Sequence, residues 1–143
     1  MPSVNAQLPI EKDAISGLLH RHGISPTTQR VEIAGILLCE YQHLSADQVL
    51  TRLNEHGASV SKATVYNTLG LFAERGLVRQ VIVDPAKVFY DSNIAPHHHF
   101  YNVDDGTLID VDTAEVPIEQ LPHPPQGTVT EAVDIVIRIR NTI

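Results

Sequence analysis

The chain has 143 residues, 43% of them hydrophobic, enough to bury one substantial core or two small ones. No apolar run approaches the roughly 20 residues of a membrane span, and MPSVNAQLPIEKD at the start lacks the basic and apolar regions of a signal peptide, so a soluble cytoplasmic protein is expected. A formal net charge of −7 argues against a uniformly basic nucleic-acid binder, but residues 1–91 carry 8 Lys or Arg against 9 Asp or Glu, whereas residues 92–143 carry 2 against 8.

Ile10, Ala14, Leu18 and Leu19 recur at helical spacing, which predicts a helix over 11–22 ended by Gly23. Thr27 is the expected N-cap of a second helix whose buried face is Val31, Ile33, Ala34, Leu37 and Leu38. Cys39, the only cysteine, closes the apolar run Ile36-Leu37-Leu38 and is read as a core residue; alone it makes neither an internal disulfide nor a thiolate zinc site. Ser45, with Gln48 three residues on, is a capping-box pattern for a third helix that Gly57 ends. A fourth helix is predicted from Ser61 or Lys62 to about Arg75, closed by Gly76. Two strands follow at 77–83 and 87–91, separated by the turn Asp84-Pro85-Ala86. Helices followed by a two-stranded wing are the order of a winged helix, a relative of the helix-turn-helix.

Beyond a hinge at 92–96, strands are predicted at 97–102 and 107–112, joined at Asp104-Asp105-Gly106, with a short helix and loop over 117–125 and a third strand over 129–140. The expected fold class is therefore α+β: a winged-helix DNA-binding domain at 1–91, then a small α/β domain at 97–143 that is short of core and so expected to dimerise.

Two segments carry chemistry. In Ser61-Lys62-Ala63-Thr64-Val65-Tyr66-Asn67, the polar residues Lys62, Thr64, Tyr66 and Asn67 avoid the apolar stripe and cluster in the first two turns, where recognition helices meet phosphates and base edges. Taken alone this is an ordinary exposed helix face; its place before a hairpin favours DNA. Ser61 at the helix start and Lys87 at the start of the second wing strand are further contact candidates. The second segment is Pro96-His97-His98-His99-Phe100. In a strand, His97 and His99 share one face and His98 takes the other, so the first two can ligate one ion with carboxylates such as Asp91 and Asp110, and His43 is an outlying imidazole. The alternative is a surface histidine tract. His20, His22, His56 and His123 lie at helix ends or in a proline loop and are given no ligand role.

The stretches Gly23-Ile24-Ser25-Pro26-Thr27-Thr28-Gln29-Arg30, His43-Leu44-Ser45-Ala46-Asp47 and Ala63-Thr64-Val65-Tyr66-Asn67-Thr68-Leu69 resemble signature segments of the ferric uptake regulator (Fur) family. The resemblance spans nearly the whole chain. It implies a homodimeric transcription regulator reading a pseudo-palindromic, A/T-rich operator in double-stranded DNA, with Tyr66 in the recognition helix and Arg30 among the contacts. It also implies a regulatory site for Fe2+, Mn2+ or Zn2+ formed by His43, Asp91, His97, His99 and Asp110. Two departures matter. Ser25-Pro26 stands where many relatives carry a basic residue for the minor groove, and Asn102-Val103-Asp104-Asp105 replaces a Cys-x-x-Cys motif, which rules out tetrathiolate zinc. Asp91-Ser92-Asn93 ahead of His97-His98-His99-Phe100-Tyr101 is similar to the iron response regulator (Irr) branch, which implies control of iron and haem metabolism genes and haem held by His97, His98 and His99 as an alternative to the metal ion.

Two other functions compete. A hydrolytic metal site at His97, His99 and Asp110 lacks any general acid or base beyond the ligands, any phosphate loop and any nucleophile setting, so the chain is not read as an enzyme. A winged-helix adaptor that no longer reads DNA would suit the acidic charge and Ser25.

Overall fold

The computed structural model describes residues 10–143; residues 1–9, most of the opening stretch read for a signal peptide, lie outside the described residues. The chain divides into two units, the first ending at Ala95 and the second being Pro96–Ile143. The fold class is α+β, a winged-helix unit followed by a small sheet-based unit. No described helix is long and apolar enough to cross a membrane.

In the first unit, α1 (Lys12–Arg21), α2 (Thr28–Leu37), α3 (Ala46–Glu55) and α4 (Lys62–Glu74) surround one core that includes Ile15, Leu19, Ile33, Leu37, Val49, Leu53, Val65, Leu69 and Phe72. Their starts follow from side-chain oxygens that accept the first unpaired helical N–H groups. Thr27 accepts from Arg30 N, Ser61 from Thr64 N, and Ser45 forms a full capping box with Gln48. Three of the four ends use one device. Gly23, Gly57 and Gly76 each take a positive φ, and the next residue donates back to the last apolar turn: Ile24 N to Leu19 O, Ala58 N to Leu53 O, Leu77 N to Phe72 O.

Helix α2 has no such glycine. Its final carbonyls are met by the Gln42 side chain, whose Nε2 donates to Ile36 O at 2.8 Å and Leu37 O at 3.1 Å. That early stop corrects the reading of Cys39. The residue lies beyond the helix, on the surface, with its thiol donating to Ile36 O, because the apolar period ends at Leu38.

Strand β1 (His43–Ser45) precedes α3, and β2 (Arg79–Asp84) and β3 (Lys87–Asp91) form the wing. All pairs are antiparallel and the order is β1-β3-β2. Reading from sequence missed β1, because three residues are too few to show an alternation. The register sets His43 opposite Asp91 on one side of β3 and Arg79 opposite Asp91 on the other.

The second unit is a three-stranded sheet of β4 (His98–Asn102), β5 (Thr107–Val111) and β6 (Val136–Ile139), ordered β5-β4-β6 with β4 antiparallel to β5 and parallel to β6. Single 3-10 turns occupy Thr113–Glu115 and Ile118–Gln120. The third strand is shorter than the expected 129–140 because it is a strand only where β4 pairs with it, at 136–139. The β4–β5 turn is held by side chains: Asn102 Oδ1 accepts from Asp104 N and Asp105 N, and Asp105 Oδ1 accepts from Thr107 N. Asn102 Nδ2 donates to Asn141 Oδ1 at 2.8 Å, tying the turn to the chain after β6.

Candidate metal centre and nucleic-acid interface

The five residues expected to ligate a metal fall into two groups, one in each unit. In the first unit the β1–β3 register brings His43 Nε2 to 3.2 Å from Asp91 Oδ2. Asp91 is buried, at 1% exposure, and its other oxygen accepts the backbone N–H of Asn93 at 2.8 Å, which fixes the plane of the carboxylate. In the second unit, His97 Nε2 and His99 Nε2 each lie 3.5 Å from Asp110 Oδ1, with the two rings 4.5 Å apart. The strand pairing places His99 directly opposite Asp110, and His97, one residue ahead of β4, brings its Nε2 to the same oxygen. Both imidazoles are buried, whereas Asp110 is half exposed.

The donor atoms suit a cation. An ion about 2.0–2.2 Å from each ligand separates neighbouring ligand atoms by roughly 3 to 3.5 Å, the spacing within both groups. Imidazole nitrogen mixed with carboxylate oxygen suits iron(II), manganese(II) or zinc.

His98 differs from its neighbours. It is buried on the opposite face, and its Nδ1 accepts the backbone N–H of Ile135 at 3.2 Å. That bond requires the lone pair on Nδ1, so a neutral ring carries its proton on Nε2. Nε2 then offers a donor and no lone pair to iron, and it has no hydrogen-bond partner among the described residues. Two of the remaining histidines meet helix-end carbonyls: His22 Nδ1 is 2.9 Å from Leu18 O and His56 Nδ1 is 2.7 Å from Arg52 O.

On the winged helix, Ser61, Lys62, Tyr66 and Asn67 of the α4 segment are exposed, as is Lys87 at the start of β3, while Thr64 is half-buried. A groove between the start of α2 and α4 is lined by Thr27, Gln29, Arg30, Thr64, Asn67 and Thr68. Arg30 Nη1 donates to Ser25 O, so the segment without the basic residue still contacts a guanidinium. One residue of this face was not singled out from sequence. Asp47, in the first turn of α3, lies 3.5 Å from both Lys62 Nζ and the Tyr66 hydroxyl, and Lys62 Nζ is 5.7 Å from the Tyr66 ring centroid. In the sequence it stood inside the capping box and at the end of the segment His43-Leu44-Ser45-Ala46-Asp47, with no role of its own.

The ferric uptake regulator family profile matches residues 21–135. The chain belongs to the ferric uptake regulator family. Peroxide-responsive repressor PerR of Staphylococcus epidermidis is 28% identical to this Fur-family chain over 104 residues, 72% of this chain and 69% of that protein. PerR of Staphylococcus aureus is 29% identical over 92 residues, 64% of this chain and 62% of that protein, so the chain spans about two thirds of the length of these relatives. The ferric uptake regulator from Pseudomonas aeruginosa with manganese superposes with a TM-score of 0.70 at 29% identity, covering 90% of this chain and 98% of that one. The ferric uptake regulator from Francisella tularensis with iron gives 0.71 at 24% identity over 83% of this chain and 92% of that one, a likeness of fold. The chain is accordingly a Fur-family transcriptional regulator, and no enzyme family is indicated.

Proposed function

We propose that this Fur-family protein is a homodimeric, metal-responsive repressor of the Fur or peroxide-repressor type, in which His43, Asp91, His97, His99 and Asp110 hold one divalent cation. The observation that carries the reading is the convergence of His97 Nε2 and His99 Nε2 on Asp110 Oδ1 within the second unit. His43 and Asp91, paired across β1 and β3, supply the matching ligands from the winged-helix unit. A cation bound by all five would supply charge neutralisation and a fixed link between the units. It regulates DNA only by binding one arrangement of the units more tightly than others.

DNA is read by α4, with Lys62 on phosphate, Tyr66 and Thr64 against thymine methyls and Asn67 on a base edge, supported by Ser61, Arg30 and the wing residue Lys87. The operator is pseudo-palindromic and A/T-rich, matching the two-fold symmetry of a dimer. Phe100, Ile109 and Ile137 are register neighbours on one face of the second unit's sheet, and Ile109 and Ile137 are 50% and 39% exposed. That apolar face is the dimer surface.

The Irr-like reading, in which haem at the histidine triplet releases the operator of iron and haem genes, is supported by the sequence of 91–101 and opposed by His98, whose Nδ1 lone pair is already used. Operator affinity of the metal-free, iron(II), manganese(II) and haem-loaded protein under reducing conditions separates the readings. Tightest binding with metal is the expected result. Tightest binding without metal, abolished by haem, would establish the Irr-like behaviour, and equal affinity in all four would end the sensor reading while leaving DNA binding intact.

A further inference from the structure

The His43–Asp91 pair stands at the open end of a three-residue strand, where pairing is weakest. Immediately behind it is a part-buried polar network, centred on the buried Ser92, that contains none of the proposed ligands. Ser92, at 0% exposure, donates its hydroxyl to Glu40 O at 2.9 Å and accepts the Gln42 N–H at 2.9 Å, while Ser92 N donates to Gln42 O at 3.1 Å. The hydroxyl therefore bridges the loop before β1 to the residue after β3. Gln42 is anchored in turn: its Nε2 holds the last carbonyls of α2, and its Oε1 accepts from Arg52 Nη1 of α3 at 2.7 Å.

Gln42 precedes His43 and Ser92 follows Asp91, so the bonds joining Gln42 to Ser92 clamp the backbone of both ligands at once. Asp91 is constrained further by the bond from Asn93 N to its Oδ1, which turns Oδ2 toward His43. None of these contacts requires an ion. We propose that Ser92 is a positioning residue for the metal site: through Gln42 it holds His43 and Asp91 in ligating register before the cation arrives. The proposal rests on the reading of His43 and Asp91 as ligands. Groups that orient ligands change metal affinity by about 10- to 100-fold when removed, and a polar group left unpaired in the interior does not regain its partner from solvent.

The test uses the full chain and Mn2+ alone, followed by electron paramagnetic resonance, with thermal unfolding of the metal-free protein in parallel. Ser92→Ala is expected to weaken Mn2+ binding by about tenfold or more, and Ser92→Thr, which keeps the hydroxyl, to restore most of it. Ser92→Cys is a second variant of nearly the same volume; its thiol is a poor acceptor, and Mn2+ prefers oxygen to sulfur, so it too should bind weakly. If Ser92→Ala and Ser92→Cys lower only the unfolding temperature and keep wild-type Mn2+ affinity while His43→Ala loses it, Ser92 is purely structural and the proposal is overturned. If His43→Ala binds Mn2+ as tightly as wild type, the ligand reading itself falls, and the proposal with it.

Discussion

Each carboxylate oxygen of Asp91 has its own partner, the Asn93 amide on one side and the His43 imidazole on the other. Asp91→Asn keeps the shape but replaces the proposed anionic ligand with a neutral amide. It should weaken Mn2+ binding by more than about tenfold with little change in circular dichroism, as titration calorimetry would show. On the proposed DNA face, Lys62 and Asn67 should do different work. Lys62→Ala should weaken binding to all sequences and reduce the salt slope by about 1, whereas Asn67→Ala should cost about 1–3 kcal/mol at one base position and relax the preference there. Fluorescence anisotropy against operator variants at several salt concentrations checks both. Tyr90 reports on pH. Burial, opposed by a hydrogen bond with the Gln80 side chain, raises its pKa above the usual 10.0. A phenol with a raised folded-state pKa leaves stability intact below pH 10 and removes it as pH rises past that point, because the unfolded chain ionises first. Tyr90→Phe should flatten that alkaline loss in urea denaturation.

At the scale of elements, the helices were legible because their signals are local. Ser45 with Gln48, Thr27, Ser61 and the three glycine stops are oxygen or glycine positions that a sequence displays directly, and they became caps within a residue or two of expectation. Ser45→Ala should cost about 1 kcal/mol of stability, measurable as a shift in the urea midpoint. What the sequence concealed was non-local. Strand β1 exists because β3 offers it an edge, β6 is a strand only along its partner, and α2 ends before Cys39 because Gln42, five residues past Leu37, reaches back to cap it. The histidine-rich half of the candidate site was legible from period-two alternation alone. Asp91 and His43 were visible only as an available carboxylate and an outlying imidazole until the family resemblance joined them to the histidines. Ser92, quoted within the Irr-like stretch, carried no signal of a positioning role, since a serine in an expected hinge looks like any other.

For the whole molecule, the part-exposed Ile109 and Ile137 make the proposed dimer testable: Ile137→Asp should give monomers in sedimentation velocity and weaken operator binding with them, leaving the winged helix folded. A further consequence follows from the β4–β5 turn. Where many relatives place a pair of cysteines, this turn is closed by Asn102 and Asp105 amide and carboxylate groups and tied to Asn141. These bonds neither oxidise nor leave with a chelator. If the proposed site takes up a regulatory ion, loading and folding should be separable at this sheet, and EDTA should empty the site without unfolding it. A site proposed on such a scaffold would be reset by diffusion of a cation, with no refolding of the turn beneath it.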